Sequence, residues 1–230
     1  MSKQAIRDHV WDDLEASGVA RFPFPPHDRI PNFAGADEAA DRLADQPEWQ
    51  AAETIKANPD APQLPVRRRA LRDGKRLYVA VPRLRDERCF LELDPATIDD
   101  FEAATTVSGI GEYGEPVAPD ELAPIDLVVS GSVAVSETGA RVGKGEGYSD
   151  LEFAILAEEG LVDDATVATT VHERQLVDVE AEDHDVRIDL LVTPERAIRT
   201  GAGDQPTGIE WALLDDDRIE EIPVLSTRRA

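Results

Sequence analysis

Apolar residues recur near the start of the chain at Ala5, Ile6, Val10, Trp11 and Leu14. That spacing places them on one face of a helix. Ser2 stands where a side-chain oxygen can cap this helix, and Gly18 where it can end. Phe22-Pro23-Phe24-Pro25-Pro26 then reads as a stiff extended segment, because each proline fixes φ. Residues 36–57 are mostly helix formers, with Pro47 suited to the first turn of a second helix. Asn58-Pro59-Asp60-Ala61-Pro62 is a turn, and residues 66–72 form a short helix stopped by Gly74.

Beyond Gly74 the pattern changes to short β-branched and aliphatic runs. Residues 76–81 (Arg-Leu-Tyr-Val-Ala-Val) predict a strand before Pro82, and residues 89–93 a second. Residues 125–130 are apolar almost without interruption, as in a strand buried on both faces. Residues 131–135 continue that strand or turn away from it. A helix is predicted from Tyr148 to about Glu159, stopped by Gly160. Residues 165–171 and 186–192 give two more strands, and residues 211–214 an edge strand. Helices alternating with such runs predict an α/β domain with a largely parallel sheet. Ligands of such folds bind at the carboxyl ends of strands, which directs attention to the residues after Val129, Val171 and Val192.

The length of 230 residues suits one α/β domain, expected to span residues 1–230 and to act as a monomer. Charged residues interrupt the first twenty positions, so no signal peptide is expected. No stretch is apolar for the roughly 18–20 residues of a membrane helix. The single cysteine, Cys89, is expected to be a small buried side chain in a reducing cytoplasm. Net charge is −24, with only four lysines. The acidic residues are spread along the chain and 41% of residues are hydrophobic, unlike a disordered acidic tail. This balance is expected to repel nucleic acid. It also fits a protein adapted to high-salt cytoplasm, where screening removes self-repulsion.

The segment richest in chemistry is Arg141-Val142-Gly143-Lys144-Gly145-Glu146-Gly147-Tyr148-Ser149-Asp150. Three alternate glycines let successive N–H groups approach an anion. The helix that follows adds its positive end. Arg141 and Lys144 add full charges in a chain that has few lysines. All of this suits a polyphosphate. The same residues would also serve a flexible connection with Ser149 as an ordinary helix cap. The loop matches neither the Walker pattern nor the dinucleotide fingerprint.

Residues 141–150 resemble the Arg-Leu-Gly-x-Gly-x-Gly-Tyr-Tyr-Asp signature of the 5-formyltetrahydrofolate cyclo-ligase family, also called methenyltetrahydrofolate synthetases. Lys3-Gln4-Ala5-Ile6-Arg7 resembles the family's Lys-x-x-Leu-Arg, residues 74–82 its Gly-Lys-strand-Pro segment, and residues 184–189 its late His-Asp…Asp strand. Arg29-Ile30-Pro31-Asn32-Phe33 and Gly143-Lys144-Gly145-Glu146-Gly147 resemble the branch of methenyltetrahydrofolate synthetase domain-containing proteins. The resemblance implies a three-layer α/β sandwich with a mainly parallel sheet. It further implies conversion of 5-formyltetrahydrofolate to 5,10-methenyltetrahydrofolate with ATP and Mg²⁺, through a phosphorylated formyl oxygen. A reduced folate is then the small-molecule substrate, and neither nucleic acid nor membrane is a partner.

The resemblance also assigns roles. Lys3 and Arg7 would contact ATP. Arg141, Gly143, Lys144, Gly145, Gly147, Tyr148 and Ser149 would wrap its phosphates, with Lys144 and Arg141 as catalytic cations. Asp150 and Asp189 would hold Mg²⁺. Asp150 could instead simply complement a helix dipole. Asp189, between Ile188 and Leu190, is costly in a strand unless paired or metal-bound. Glu146 departs from the family pattern and is expected to point away from the phosphates. Residues 59–65 do not match the family's substrate-binding glutamate region, and Ser149 replaces a tyrosine. These departures keep open a nucleotide- or folate-binding protein of the same fold without the reaction, and a kinase-like or CoA-transferase-like enzyme on a related sheet.

Overall fold

The computed structural model describes residues 1–182 and 184–229. Helix α1 (Lys3–Ala16) leads into the short strands β1 (Ala20–Arg21) and β2 (Asn32–Phe33), then helices α2 (Ala36–Ala44) and α3 (Pro47–Ala51). Strand β3 (Thr54–Ala57), helix α4 (Leu64–Arg72) and strands β4 (Arg76–Ala80) and β5 (Phe90–Leu93) follow. Next come α5 (Phe101–Ala104), α6 (Val107–Tyr113), β6 (Glu115–Val117) and β7 (Leu127–Val129). A two-stranded ribbon, β8 (Ala134–Val135) with β9 (Arg141–Val142), precedes α7 (Tyr148–Glu158). The chain ends with β10 (Thr166–Thr170), β11 (Leu190–Val192), β12 (Ala197–Arg199), α8 (Asp216–Glu221) and α9 (Pro223–Arg229).

Eight strands form one sheet in the order β12-β11-β10-β7-β3-β4-β5-β6. The five central strands are parallel, and β12, β5 and β6 join antiparallel at the edges. Alternation along the strands feeds two cores. Leu77, Val79, Leu127 and Val129 pack under α2–α6, while Tyr78, Val128 and Val167 pack under α7–α9. Helices on both faces of a mainly parallel sheet make the expected three-layer sandwich. Both faces being covered explains why residues 125–130 read as a continuous apolar run.

Several boundaries differ from the sequence reading. Residues 54–57, assigned to a helix by composition, are the central strand β3. Four residues with a lysine in the middle give no strand period, and tertiary pairing with β4 and β7 decides the outcome. Residues 131–135 turn away from the sheet into the β8–β9 ribbon. Trp211–Leu213 is a 3₁₀ turn, not an edge strand, and β12 forms that edge. Cys89 is fully buried, and desolvation pushes its thiol up to about 12. No helix of the described residues is long and apolar enough to cross a membrane.

Candidate nucleotide and substrate site

The sheet order reverses between β3 and β7: one branch of the chain runs outward through β4, the other through β10 and β11. The connections after β3 and β7 depart to opposite faces of the sheet, through α4 and α7, and leave a crevice at the carboxyl ends. Asn58 follows β3, and its Oδ1 accepts from the Gly131 N–H, beyond β7, at 3.0 Å. The two strand ends are thereby tied at the crevice floor. Lys56 in β3 is buried and pairs with Glu152 of α7, which also accepts from Asn58 Nδ2 at 3.3 Å. A buried charge needs such a partner. The pair anchors the helix behind the glycine loop to the switch-point strand.

The glycine loop joins β9 to α7. Gly147 takes φ +71° as the N-cap of α7, and Ser149 does not cap it. Ser149 Oγ instead meets Ser130 Oγ at 2.9 Å. Gly145 has φ +105°, and a Cβ there would come within 3.3 Å of Arg7 Cζ. Both positions favour glycine on conformation, and at Gly145 the Arg7 side chain also crowds a Cβ, whereas nothing lies within 4 Å of one at Gly147. Arg7 Nε donates to the Gly143 carbonyl at 2.7 Å, so α1 braces the loop. Among the described residues, no backbone N–H from Lys144 to Gly147 has an intramolecular acceptor. Four donors beside a helix N-terminus are thus available to an anion.

Two cavities flank the loop and share it as a wall. One, about 280 Å³, is reached by Lys3, Arg7, Gly145 and Asp185, with Leu151, Ile209 and Leu214 as an apolar side. The other, about 270 Å³, is bordered by Asn58, Asp60, Lys144, Glu146, Tyr148 and Ser149. Arg141, Gly143, Gly147 and Asp150 line both. Arg141 is buried with its guanidinium on Asp150, and the same Asp150 Oδ1 accepts from the Val186 N–H at 3.1 Å. The pair forms the rigid partition between the cavities.

The cations of the site meet carboxylates already present. Lys3 Nζ lies 2.8 Å from Asp185 and 3.0 Å from Glu182. Burial draws the Lys3 ammonium down, but these two acids raise it further, and the net shift is upward. Lys144 Nζ lies 2.7 Å from Glu146 Oε2. Arg7 has no salt-bridged carboxylate among the described residues, and burial lowers its guanidinium. Glu146 borders the second cavity beside Lys144, with its side chain 40% exposed. Asp60, in the same cavity, is pushed up by burial and drawn back by Lys144.

The predicted site residues separate into two sets. Lys3, Arg7, Arg141, Gly143, Lys144, Gly145, Gly147, Tyr148, Ser149 and Asp150 converge on the two cavities. Asp189 does not join them. It precedes β11 at the amino end of the strand, and its Oδ2 accepts from the Val167 N–H at 2.8 Å and Gln205 Nε2 at 3.4 Å. These bonds answer the cost of its burial without a metal, although desolvation still raises its pKa. For Mg²⁺, the carboxylates of Asp150 and Glu146 border the second cavity beside the loop N–H groups. Hard oxygen donors in that number, with phosphate oxygens added, match what Mg²⁺ takes. The sequence reading missed Lys56, Asn58 and Glu152. Glu152 carries a signal that could have found it, as an acid inside the apolar run Leu151-Glu152-Phe153-Ala154-Ile155-Leu156.

Residues 1–194 match the sequence model of the 5-formyltetrahydrofolate cyclo-ligase family, and the chain belongs to that family. Over its whole length it is 45% identical to the methenyltetrahydrofolate synthase domain-containing protein of Mus musculus and 41% identical to that of Homo sapiens. The chain spans 63% and 62% of those relatives' lengths. Among solved structures it is similar to the NMR structure of Aquifex aeolicus 5,10-methenyltetrahydrofolate synthetase, with a TM-score of 0.55 and 18% identity, covering 89% of this chain and 96% of that one. That likeness confirms the fold.

Proposed function

We propose that this chain is a cytoplasmic, monomeric, single-domain 5-formyltetrahydrofolate cyclo-ligase that uses ATP and Mg²⁺. The observation that carries this reading is the shared wall: Arg141, Gly143, Gly147 and Asp150 border both cavities. A nucleotide held on one side of the glycine loop and a reduced folate on the other would meet across it. The formyl oxygen of the folate attacks the terminal phosphorus and ADP leaves. N10 then attacks the activated formyl carbon, phosphate departs with the former formyl oxygen, and the N10 proton is lost. An amide-like oxygen leaves poorly until it is phosphorylated, so positioning and charge stabilisation carry the catalysis.

Within this reading Lys3 and Arg7 hold the nucleotide, and the loop N–H groups with Lys144 receive its phosphates. Arg141 fixes Asp150, which with Glu146 would hold Mg²⁺. The metal, when bound, supplies charge neutralisation on the phosphate oxygens. That supply matters because Lys3, Arg141 and Lys144 already face carboxylates. Asp60 and Asn58 border the second cavity together with Lys144 and Glu146, where the formyl group of the folate would reach the phosphates. The Lys144–Glu146 pair favours a second reading, a nucleotide- or folate-binding protein without turnover. Purified protein incubated with ATP, Mg²⁺ and 5-formyltetrahydrofolate decides between them. Methenyl product formed with one ADP per turnover is expected; ATP binding without product would establish the second reading.

A further inference from the structure

The family's sequence model stops at residue 194, yet the chain beyond it closes the first cavity. Gly208, Ile209, Leu213 and Leu214 form its apolar side. The segment is held in place: the Ile209 N–H donates to Glu158 at 3.2 Å, Ile219, Ile222 and Leu225 are buried in the core around α7, and Arg228 pairs with Glu158 and Glu159. From this platform Arg218 reaches back to the glycine loop. Its guanidinium lies 4.0 Å from the centre of the Tyr148 ring. Its Nη1 donates to the Tyr148 hydroxyl at 2.8 Å, and its Nη2 to the Glu146 carbonyl at 2.8 Å.

We propose that Arg218 is a positioning residue that latches the glycine loop in its nucleotide-receiving form. The inference rests on the nucleotide reading of that loop. Glu146 and Tyr148 flank Gly147, whose left-handed backbone turns the loop into α7. A planar fork bonded to both flanks fixes that turn from outside, where it does not compete with a ligand. Three alternate glycines would otherwise give the loop wide conformational freedom, and a ligand would bear the ordering cost on binding. The Asp215 carboxylate caps α8 by accepting from the Arg218 N–H at 2.7 Å, which sets the origin of the side chain.

The test compares wild type, Arg218→Ala and Arg218→Lys. Tryptic cleavage after Lys144 in the ligand-free protein reports loop freedom, equilibrium binding of Mg-ATP reports affinity, and melting confirms folding. Arg218→Ala should be cut several-fold faster and bind ATP roughly three- to tenfold more weakly, as for an unordered loop. With turnover, KM for ATP should rise by the same factor while kcat stays within about twofold. Arg218→Lys keeps the ring contact but cannot bridge both acceptors, and should recover only part of the loss. Wild-type cleavage rates in Arg218→Ala overturn the latch, as does faster cleavage with unchanged ATP affinity. If wild type binds no ATP, the nucleotide reading fails, while the cleavage comparison still decides whether Arg218 holds the loop. Should Arg218→Ala not fold, Arg218→Gln gives the same readings.

Discussion

Lys144 Nζ and Glu146 Oε2 lie 2.7 Å apart, so the only lysine of the glycine loop is matched by a carboxylate two residues on. Both side chains are more than a third exposed, and exposed pairs of this kind contribute at most about 1 kcal/mol. Freeing Lys144 can therefore gain at most roughly fivefold in ATP affinity, the factor that ~1 kcal/mol allows, while loss of a carboxylate placed to hold Mg²⁺ should make Glu146→Gln require more Mg²⁺. Isothermal titration at fixed ionic strength measures both. A gain beyond about a hundredfold would mark the native loop as disabled. An unchanged Mg²⁺ requirement would remove Glu146 from the metal site.

Asp150 and Asp189 were grouped by the sequence, but Asp150 lines both cavities and Asp189 lines neither. Asp150→Asn leaves the buried Arg141 guanidinium without its charge partner, a change that costs about 3–5 kcal/mol in comparable pairs. Its effect on Mg²⁺ dependence must therefore be read on protein shown to be folded. Asp189→Asn exchanges an acceptor bonded to the Val167 N–H and should lower stability modestly, by roughly 1 kcal/mol. Turnover titrated with Mg²⁺ separates the two. Asp150→Asn should shift the half-saturating concentration upward, and Asp189→Asn should leave it unchanged. A shift in Asp189→Asn would return that residue to the metal site.

The residues that were legible in the sequence are those whose physics is local. Ser2 caps α1 through a 3.3 Å bond from the Ala5 N–H, and Gly147 opens α7, because caps and left-handed turns are written in one or two residues. Val128 and Val167 read as buried strands because neighbouring helices cover both faces. What was illegible depends on partners far along the chain. Lys56 belongs to a strand only because β4 and β7 pair beside it, and it tolerates burial only because Glu152 meets it. Arg218 acquires its role from Tyr148, seventy positions earlier. No periodicity announces such a contact. The loop itself could be recognised, but its internal ion pair could not, since a side chain's direction in a loop follows from its surroundings.

Asp60 couples the second cavity to pH. Burial raises its folded pKa above the ordinary carboxylate value of 3.8. The folded state then holds the proton more tightly than the unfolded state. Stability from this group is complete below the unfolded pKa and falls as pH rises toward the raised folded value. At neutral pH the unfolded carboxyl is ionised, so burying this group opposes folding, and Asp60→Asn should melt higher than wild type. That advantage should shrink as pH falls toward the ordinary carboxylate value of 3.8, which melting curves taken at descending pH would display. If the substitution also weakens binding of 5-formyltetrahydrofolate, the carboxylate serves the folate side at the expense of stability. A lower melting temperature at pH 7 would show that Lys144 more than offsets the desolvation.

The excess of acids should make the fold respond to salt. The chain has 48 acidic and 24 basic residues, and many of its arginines already sit in local pairs, such as Arg196 with Glu137 and Glu173. The remaining carboxylates repel one another more in the compact state than in an expanded chain. In dilute buffer that repulsion reaches tens of ångströms; near 1 M salt it is confined to about 3 Å. Salt also weakens the attractive exposed pairs, each worth at most about 1 kcal/mol. With a net charge of −24, relief of repulsion should dominate. Each 1 kcal/mol relieved raises Tm by roughly 2–4 °C for a chain of this size. A rise of about 5 °C or more between dilute buffer and ~2 M KCl is therefore expected, equivalent to ~2 kcal/mol. Sucrose at matched osmolarity controls for solute exclusion, which stabilises without screening. A Tm that stays flat or falls with KCl would show that the local pairs outweigh the excess acids, and that the acidity is not an adaptation to salt.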